Sequence, residues 1–325
     1  MNAALSALTD ELRRLKATGV KSVAVSEETV AALRKAMAGA GRAVAGDRRA
    51  SARKPVGVDG EPKKAPASPS AEGAATLQAP PPADEPAVEV KIPPAASGSA
   101  PIPAPTAFVL PEGDKAGRMA ALRERVLGDP VCCAHVRPGK KVVLGVGSLD
   151  AKIMFVGEAP GAEEEVQGEP FVGPAGQLLT KMIGAMGLQR SDVYIGNIMN
   201  WRPEMPLNAS GVQYGNRPPT DEEMRYCLPY LRAQIEVVQP ELLVALGSTA
   251  AQGLLGPGSF KALGEVRGKW KEFAGKPLMI TYHPSYILRN QSNRSKRMIW
   301  EDLLQVMGKA GLPISDKQRA FFLDK

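Results

Sequence analysis

KIMFVGEAPG, residues 152–161, is a short apolar run that stops on a polar turn containing Gly and Pro. Such a run, bounded by turn residues, reads as a strand buried on both faces. The same construction recurs in DVYIGNIM (192–199), PELLVALG (240–247) and PLMITYH (277–283). Between these runs lie segments of helical character: GPAGQLLTKMIGAMG (173–187), PPTDEEMRYCLPYLRAQIEVVQ (218–239) and STAAQGLLG (248–256). SKRMIWEDLLQVMGKAG (295–311) closes the series as an amphipathic helix. In the second of these helices Thr220 stands as N-cap ahead of acidic residues, and Pro229 is expected to kink or split it. Strands separated by helices predict βαβ units, and hence an α/β domain of three αβα layers around a central, mostly parallel four-stranded sheet. In such sheets ligands bind at the carboxyl ends of the strands. VGEAPG, Asn197 and the YHPS turn are therefore predicted to meet there.

Outward from this core the composition changes. Residues 41–108 are dominated by Ala, Pro, Gly and Ser with scattered charge. They carry too little apolar surface to offset their ordering entropy, so a disordered linker is expected. Residues 1–40 hold leucines at helical spacing (Leu5, Leu8, Leu12, Leu15) and a second capped stretch from Ser26. They read as short N-terminal helices suited to a protein partner. The main domain is drawn at 109–315, with a C-terminal tail at 316–325. At about two hundred residues it is long enough for a substantial core. The 325-residue chain carries a formal net charge of +7, which permits contact with a polyanion without demanding it. No apolar stretch is long enough to span a bilayer, so no membrane role is expected. The three cysteines, Cys132, Cys133 and Cys227, are too few for a disulfide framework, so a reducing cytoplasm is the expected setting. A monomer is expected.

The predicted strand ends carry a specific chemistry. Glu158 and Asn197 offer hydrogen bonds to the edge of a planar ligand, Phe171 offers a stacking face, and His283 offers a donor to a developing anion. GEAPG lacks the GxxxxGK[ST] phosphate-loop pattern, and the Gly145–Gly147 pair lacks the full dinucleotide fingerprint. Nucleotide-loop readings are set aside on that ground.

Six strings in order give the chain a resemblance to the uracil-DNA glycosylase superfamily, and within it to the family 4 enzymes. They are VGEAPGAEEEVQGEPFVGPAGQLLTKMI (156–183), VYIGNIMNWRP (193–203), Asn216–Arg217 before PPTDEE, LLVALGSTAA (242–251), LGEVRGKW (263–270) and YHPSYILR (282–289). The resemblance covers about residues 127–312. It implies hydrolysis of the N-glycosidic bond of uracil extruded from DNA, in base-excision repair. It assigns Glu158, Asn197 and His283 to catalysis. Gly157, Ala159, Pro160, Gly161, Phe171, Asn216 and Ser285 would hold the base, with Asn216 as a polar partner for Glu158. Arg289, Arg294, Lys296 and Arg297 would contact DNA phosphates. Two rival readings stay open: a DNA-binding superfamily member with little turnover, and a glycosylase for another deaminated base. A further rival, an interaction protein centred on residues 1–40, belongs to a different class.

The family carries a four-cysteine iron–sulfur cluster. Alignment on VLGVG (143–147) puts its ligand positions at Pro130, Cys133, Trp201 and Cys227, so two of the four lack a thiol. No bound metal is expected, Cys133 and Cys227 being relict positions and Trp201 filling the space of the missing sulfur. A second departure is EMPLNASGVQYG (204–215), longer than the family's usual connection.

Overall fold

A computed structural model describes residues 102–208 and 211–323. The expected N-terminal helices, and the linker as far as residue 101, lie outside the described residues.

Four apolar runs become parallel strands. After α1 (Lys115–Leu127), α2 (Pro130–Ala134) and the short β1 (Val146–Gly147), the chain enters β2 (Ile153–Gly157), buried along its whole length. α3 (Ala162–Gln167) and α4 (Pro174–Ala185) lead to β3 (Tyr194–Asn197). α5 (Asp221–Val238), β4 (Leu242–Leu246), α6 (Ser248–Leu255) and α7 (Leu263–Val266) follow. β5 (Trp270–Phe273), β6 (Lys276–Thr281), α8 (Pro284–Arg289), α9 (Asn293–Lys309) and α10 (Asp316–Arg319) complete the order. The strands line up as β1-β3-β2-β4-β6-β5. β3, β2, β4 and β6 run parallel, with Phe155 opposite Ile195 and Val244, and Val244 opposite Met279.

Alternate side chains of each strand point to opposite faces, which divides the core in two. Met154, Val156, Leu243, Ala245, Leu278 and Ile280 pack with buried residues of α1, α2, α5 and α6. Ile153, Phe155, Val244 and Met279 pack with those of α4 and α9. The three-layer αβα architecture follows directly.

The sheet has six strands among the described residues, not four. The two additions are antiparallel edges, β1 on β3 and β5 on β6. β5 is joined to β6 by Ala274 and Gly275, both at positive φ (50° and 70°), as a two-residue hairpin turn requires. Its residues WKEF are largely exposed, so no apolar run marks it. Pro229 does not split α5: Tyr226, Cys227, Tyr230 and Leu231 around it are buried, and that packing outweighs the lost backbone hydrogen bond.

The drawn domain limits also shift. Ile102, Phe108 and Leu110 already pack against the core, with the Phe108 ring 5.4 Å from Tyr230. Residues 316–323 are not a free tail. Ser315 caps α10, Trp300 Nε1 donates to Gln318 O at 2.6 Å, and Gln318 Nε2 donates to Ala185 O at 2.8 Å.

Candidate active site

The carboxyl ends of β2, β3, β4 and β6 open into one cleft of about 640 Å³. Its walls include Glu158 to Gly161, Phe171, Asn197, Asn216, His283, Ser285 and Arg289. Residues far apart in sequence thus converge for the reason given by the sheet: parallel strands deliver successive loops to the same edge.

Asn197 ends β3 beside Gly157 of β2. Its side chain is buried, and its Oδ1 has no hydrogen-bond partner among the described residues. A buried polar atom without a partner is costly and rare in a native fold, so this oxygen is free to accept from a ligand. Gly157 is bare backbone for a steric reason. A Cβ there would lie 2.4 Å from both Asn197 Oδ1 and Phe171 Cζ.

Phe171 holds a left-handed backbone, φ 54°, and is buried. Its ring centroid lies 5.7 Å from that of His283, tilted by 33°. Gly176 makes this perch possible, since a Cβ at 176 would sit 1.9 Å from Phe171 O.

His283 is the N-cap of α8. Its Nδ1 accepts from Ser285 N at 3.2 Å and lies 2.8 Å from Ser285 Oγ. A ring nitrogen that accepts from a backbone N–H carries no proton, which leaves Nε2–H as the donor. Burial pushes the imidazole pKa down to about 4, with the Arg289 charge acting the same way and Glu164 opposing. The ring is a neutral donor at pH 7. Arg289 Nη1 in turn donates to Ser285 Oγ at 3.3 Å.

Glu158 is the opposite case. Burial raises its carboxyl above the usual range, and a hydrogen bond with Thr249 of α6 partly offsets this. The expected Asn216–Glu158 pair is not the arrangement found. Asn216 Oδ1 accepts from Arg202 Nε at 2.8 Å, while Arg202 also pairs with Glu165 (2.9 Å) and Gly215 O (2.7 Å). The Arg202 guanidinium, a donor with no acceptor of its own, takes the amide oxygen, the one side-chain acceptor Asn216 has. Asn216 therefore keeps its NH2 for the cleft.

The expected phosphate contacts divide. Arg289 lines the cleft. Arg294 is exposed and Lys296 partly so, and neither lines it. Arg297 is a structural clamp: it pairs with Glu301 at 2.9 Å and donates to Arg319 O and Phe321 O at 2.7 and 2.9 Å. Its guanidinium is committed to holding α10, so it is withdrawn from the phosphate set.

Sequence reasoning passed over Glu164, Thr249 and Arg202. Glu164 had one signal, its place three residues after Gly161 at a helix start, where a glutamate reaches back to the cap. Thr249 and Arg202 had none, because their partners are remote in sequence.

The cluster positions tell a consistent story. Pro130 opens α2, and Trp201 is fully buried, its indole stacked on His135 with centroids 5.0 Å apart and planes 11° apart. Tyr226 packs at 6.2 Å on Trp201. Asp129 accepts from Tyr226 and Tyr230 hydroxyls at 2.8 and 2.6 Å and caps Cys132 N at 2.7 Å. Cys132, not Cys133, is the buried thiol facing Cys227, and its pKa is raised by their mutual hydrogen bond and by burial. Cys133 is exposed, its thiol donating to Leu127 O at 3.1 Å. Adjacent residues in a helix point about 100° apart, so only one of the pair can face inward. Among the described residues no three Cys, His, Asp or Glu side chains are arranged to hold a metal. A four-thiolate cluster does not fit this set of donors.

The strand-end cleft of this three-layer αβα domain brings together an aromatic ring, a buried carboxamide oxygen and an imidazole, a set able to take a planar, hydrogen-bonding ligand. Comparison with known proteins agrees. Residues 144–304 match the model of the uracil DNA glycosylase superfamily. A type-4 uracil-DNA glycosylase of Thermotoga maritima is 42% identical over 186 residues, covering 57% of this chain and 91% of that protein. A type-4 enzyme of Pyrobaculum aerophilum is 41% identical over 181 residues, covering 54% of this chain and 87% of that protein. A type-5 uracil-DNA glycosylase from the same organism is 30% identical over 175 residues, covering 51% and 75%. The chain belongs to the uracil-DNA glycosylase superfamily, in its type-4 branch.

Proposed function

We infer that this protein is a uracil-DNA glycosylase that hydrolyses the N-glycosidic bond of uracil in DNA, the first step of base-excision repair. The observation that carries the site assignment is the buried Oδ1 of Asn197, without a hydrogen-bond partner among the described residues, in the same cleft as the Phe171 ring and His283. Uracil within a duplex is out of reach, so the nucleotide is extruded at a cost of about a few kcal/mol. The extruded base stacks on Phe171. Asn197 Oδ1 accepts N3–H and its NH2 donates to O4. Cytosine presents an unprotonated N3 and an amino group at those places, which leaves buried groups unsatisfied and discriminates against it. As the bond to C1′ breaks, negative charge gathers on uracil, and His283 Nε2–H donates to O2 where that charge develops. A water ordered by Glu158 and the Asn216 NH2 then attacks C1′, forming the C1′–O bond and passing its proton to the Glu158 carboxylate. Ala159 brings no carboxylate, so the sugar cation is stabilised by Glu158 and the DNA backbone.

The remaining readings rest on the sequence and the donor set. The protein works without an iron–sulfur cluster, as the Trp201–His135 stack in the ligand region supports. Iron assay of the purified protein tests this, and stoichiometric iron would overturn it. A monomer, a cytoplasmic setting and a protein partner for residues 1–40 complete the picture. Among the described residues no helix is long and apolar enough to cross a membrane.

Oligonucleotides carrying uracil, hypoxanthine or xanthine, in single and double strands, followed by alkali, test the activity. Cleavage at uracil, slowed strongly by His283→Ala and by Asn197→Ala, is expected. Tight binding without cleavage would favour a non-catalytic member, and cleavage at another base alone would change the substrate.

A further inference from the structure

We propose that Glu164 is a positioning residue for the base pocket, tying the catalytic loop to the loop that carries Phe171. The proposal rests on the glycosylase reading and adds a residue to its machinery. Glu164 lies one turn into α3, lines the cleft and is 8% exposed. Its Oε2 accepts from Gly161 N at 3.1 Å, closing the catalytic loop Glu158 to Gly161. That contact is the usual reach of a third-position glutamate back to its helix cap. Its Oε1 does something no cap needs. It accepts from Val172 N and Gly173 N, both at 3.0 Å, immediately after Phe171. Gly173 is itself the N-cap of α4, so one carboxylate joins the starts of two helices with Phe171 held between.

Gly161 is glycine where this approach requires it, since a Cβ there would lie 2.6 Å from Glu164 Oε2. Phe171 keeps a left-handed backbone that costs a non-glycine residue about 1 kcal/mol or more. Such a conformation persists only where surrounding contacts over-determine it. The two hydrogen bonds that follow Phe171 are those contacts, together with the Arg190 Nη2 bond to Pro170 O at 2.6 Å on the other side. Without Glu164 the ring is free to leave the position from which it stacks on the base.

The test is a double-mutant cycle of Glu164→Gln and Phe171→Ala, read by single-turnover uracil release and by amide exchange. The isosteric Gln loses one acceptor and faces a backbone N–H with a donor. Release is expected to slow about ten- to a hundredfold, the range set by leaving a buried donor unsatisfied. In the Phe171→Ala background the same change is expected to slow release by no more than about threefold, because the ring it positions is gone. Amides of Val172 and Gly173 are expected to exchange faster in Glu164→Gln, while those of β2 and β4 do not change. Equal losses in both backgrounds, or unchanged exchange at 172 and 173, would overturn the proposal. Should Glu164→Gln fail to fold, Glu164→Asp retains the carboxylate but is too short to reach both loops, and the same cycle applies. A wild-type protein that releases no uracil would overturn the glycosylase reading instead, and the exchange experiment would still decide the role of Glu164.

Discussion

The protonation state of His283 is the sharpest consequence of the site. The chain has only two histidines, His135 and His283, so an NMR titration reads each directly. Burial and the Arg289 charge hold the His283 pKa at about 4, against an ordinary value of 6.5. Between these values the unfolded chain binds a proton that the folded protein refuses. Stability is therefore whole above pH 6.5 and falls as pH drops toward 4. The difference corresponds to at most about 3 kcal/mol, and less in practice because the ring keeps some contact with solvent. In the titration, the imidazole signal absent from His283→Ala is expected to stay neutral, as the Nε2–H tautomer, from pH 8 to pH 5. Denaturant midpoints should decline with acid over the same range, and less so in His283→Ala. Uracil release should show no inflection from this residue between pH 6 and 8, since the neutral ring is already the donor. An inflection of the His283 signal near or above pH 6 would refute the lowered pKa, and a proton on Nδ1 of the neutral ring would refute the tautomer, because the Ser285 N–H bond could not then exist.

Three other outcomes follow from contacts in the structure. Gly157→Ala places a methyl group 2.4 Å from both Asn197 Oδ1 and the Phe171 ring, so uracil release should fall at least about a hundredfold. Its thermal midpoint should drop by only a few degrees, and a wild-type rate would contradict the pocket geometry. Trp201→Ala removes a fully buried indole from between His135 and Tyr226 and should destabilise the fold by about 3–5 kcal/mol, measured by chemical denaturation. A near-neutral change would mean that the region is not packed as described. Arg289→Ala and Arg297→Ala should separate: the first is expected to flatten the salt dependence of DNA binding by about one unit of slope, while the second lowers thermal stability and leaves the slope unchanged.

The amino-acid sequence alone determined the layers of this fold and where its pocket lies. Four apolar runs, each ending on a polar turn and separated by helical segments, are sufficient to imply a parallel sheet, and a parallel sheet sends its loops to one edge. Glu158, Asn197 and His283 were legible for that reason, whereas Phe171, on the connection between α3 and α4, was read from the family resemblance. The edge strand β5 was not legible, since only Trp270 and Phe273 of WKEF meet the core while Lys271 and Glu272 between them are exposed, which leaves no apolar run to read. Helix α5 survives Pro229 because burial on several sides outweighs one lost bond. Partner choice was invisible as well. Only the tertiary structure decided that Asn216 answers to Arg202, that Arg297 braces α10, and that Cys132 instead of Cys133 turns toward Cys227. Periodicity is a property of the local chain and is written there. Hydrogen-bond partnership depends on distances between side chains that are remote in sequence, and those distances exist only once the chain has packed.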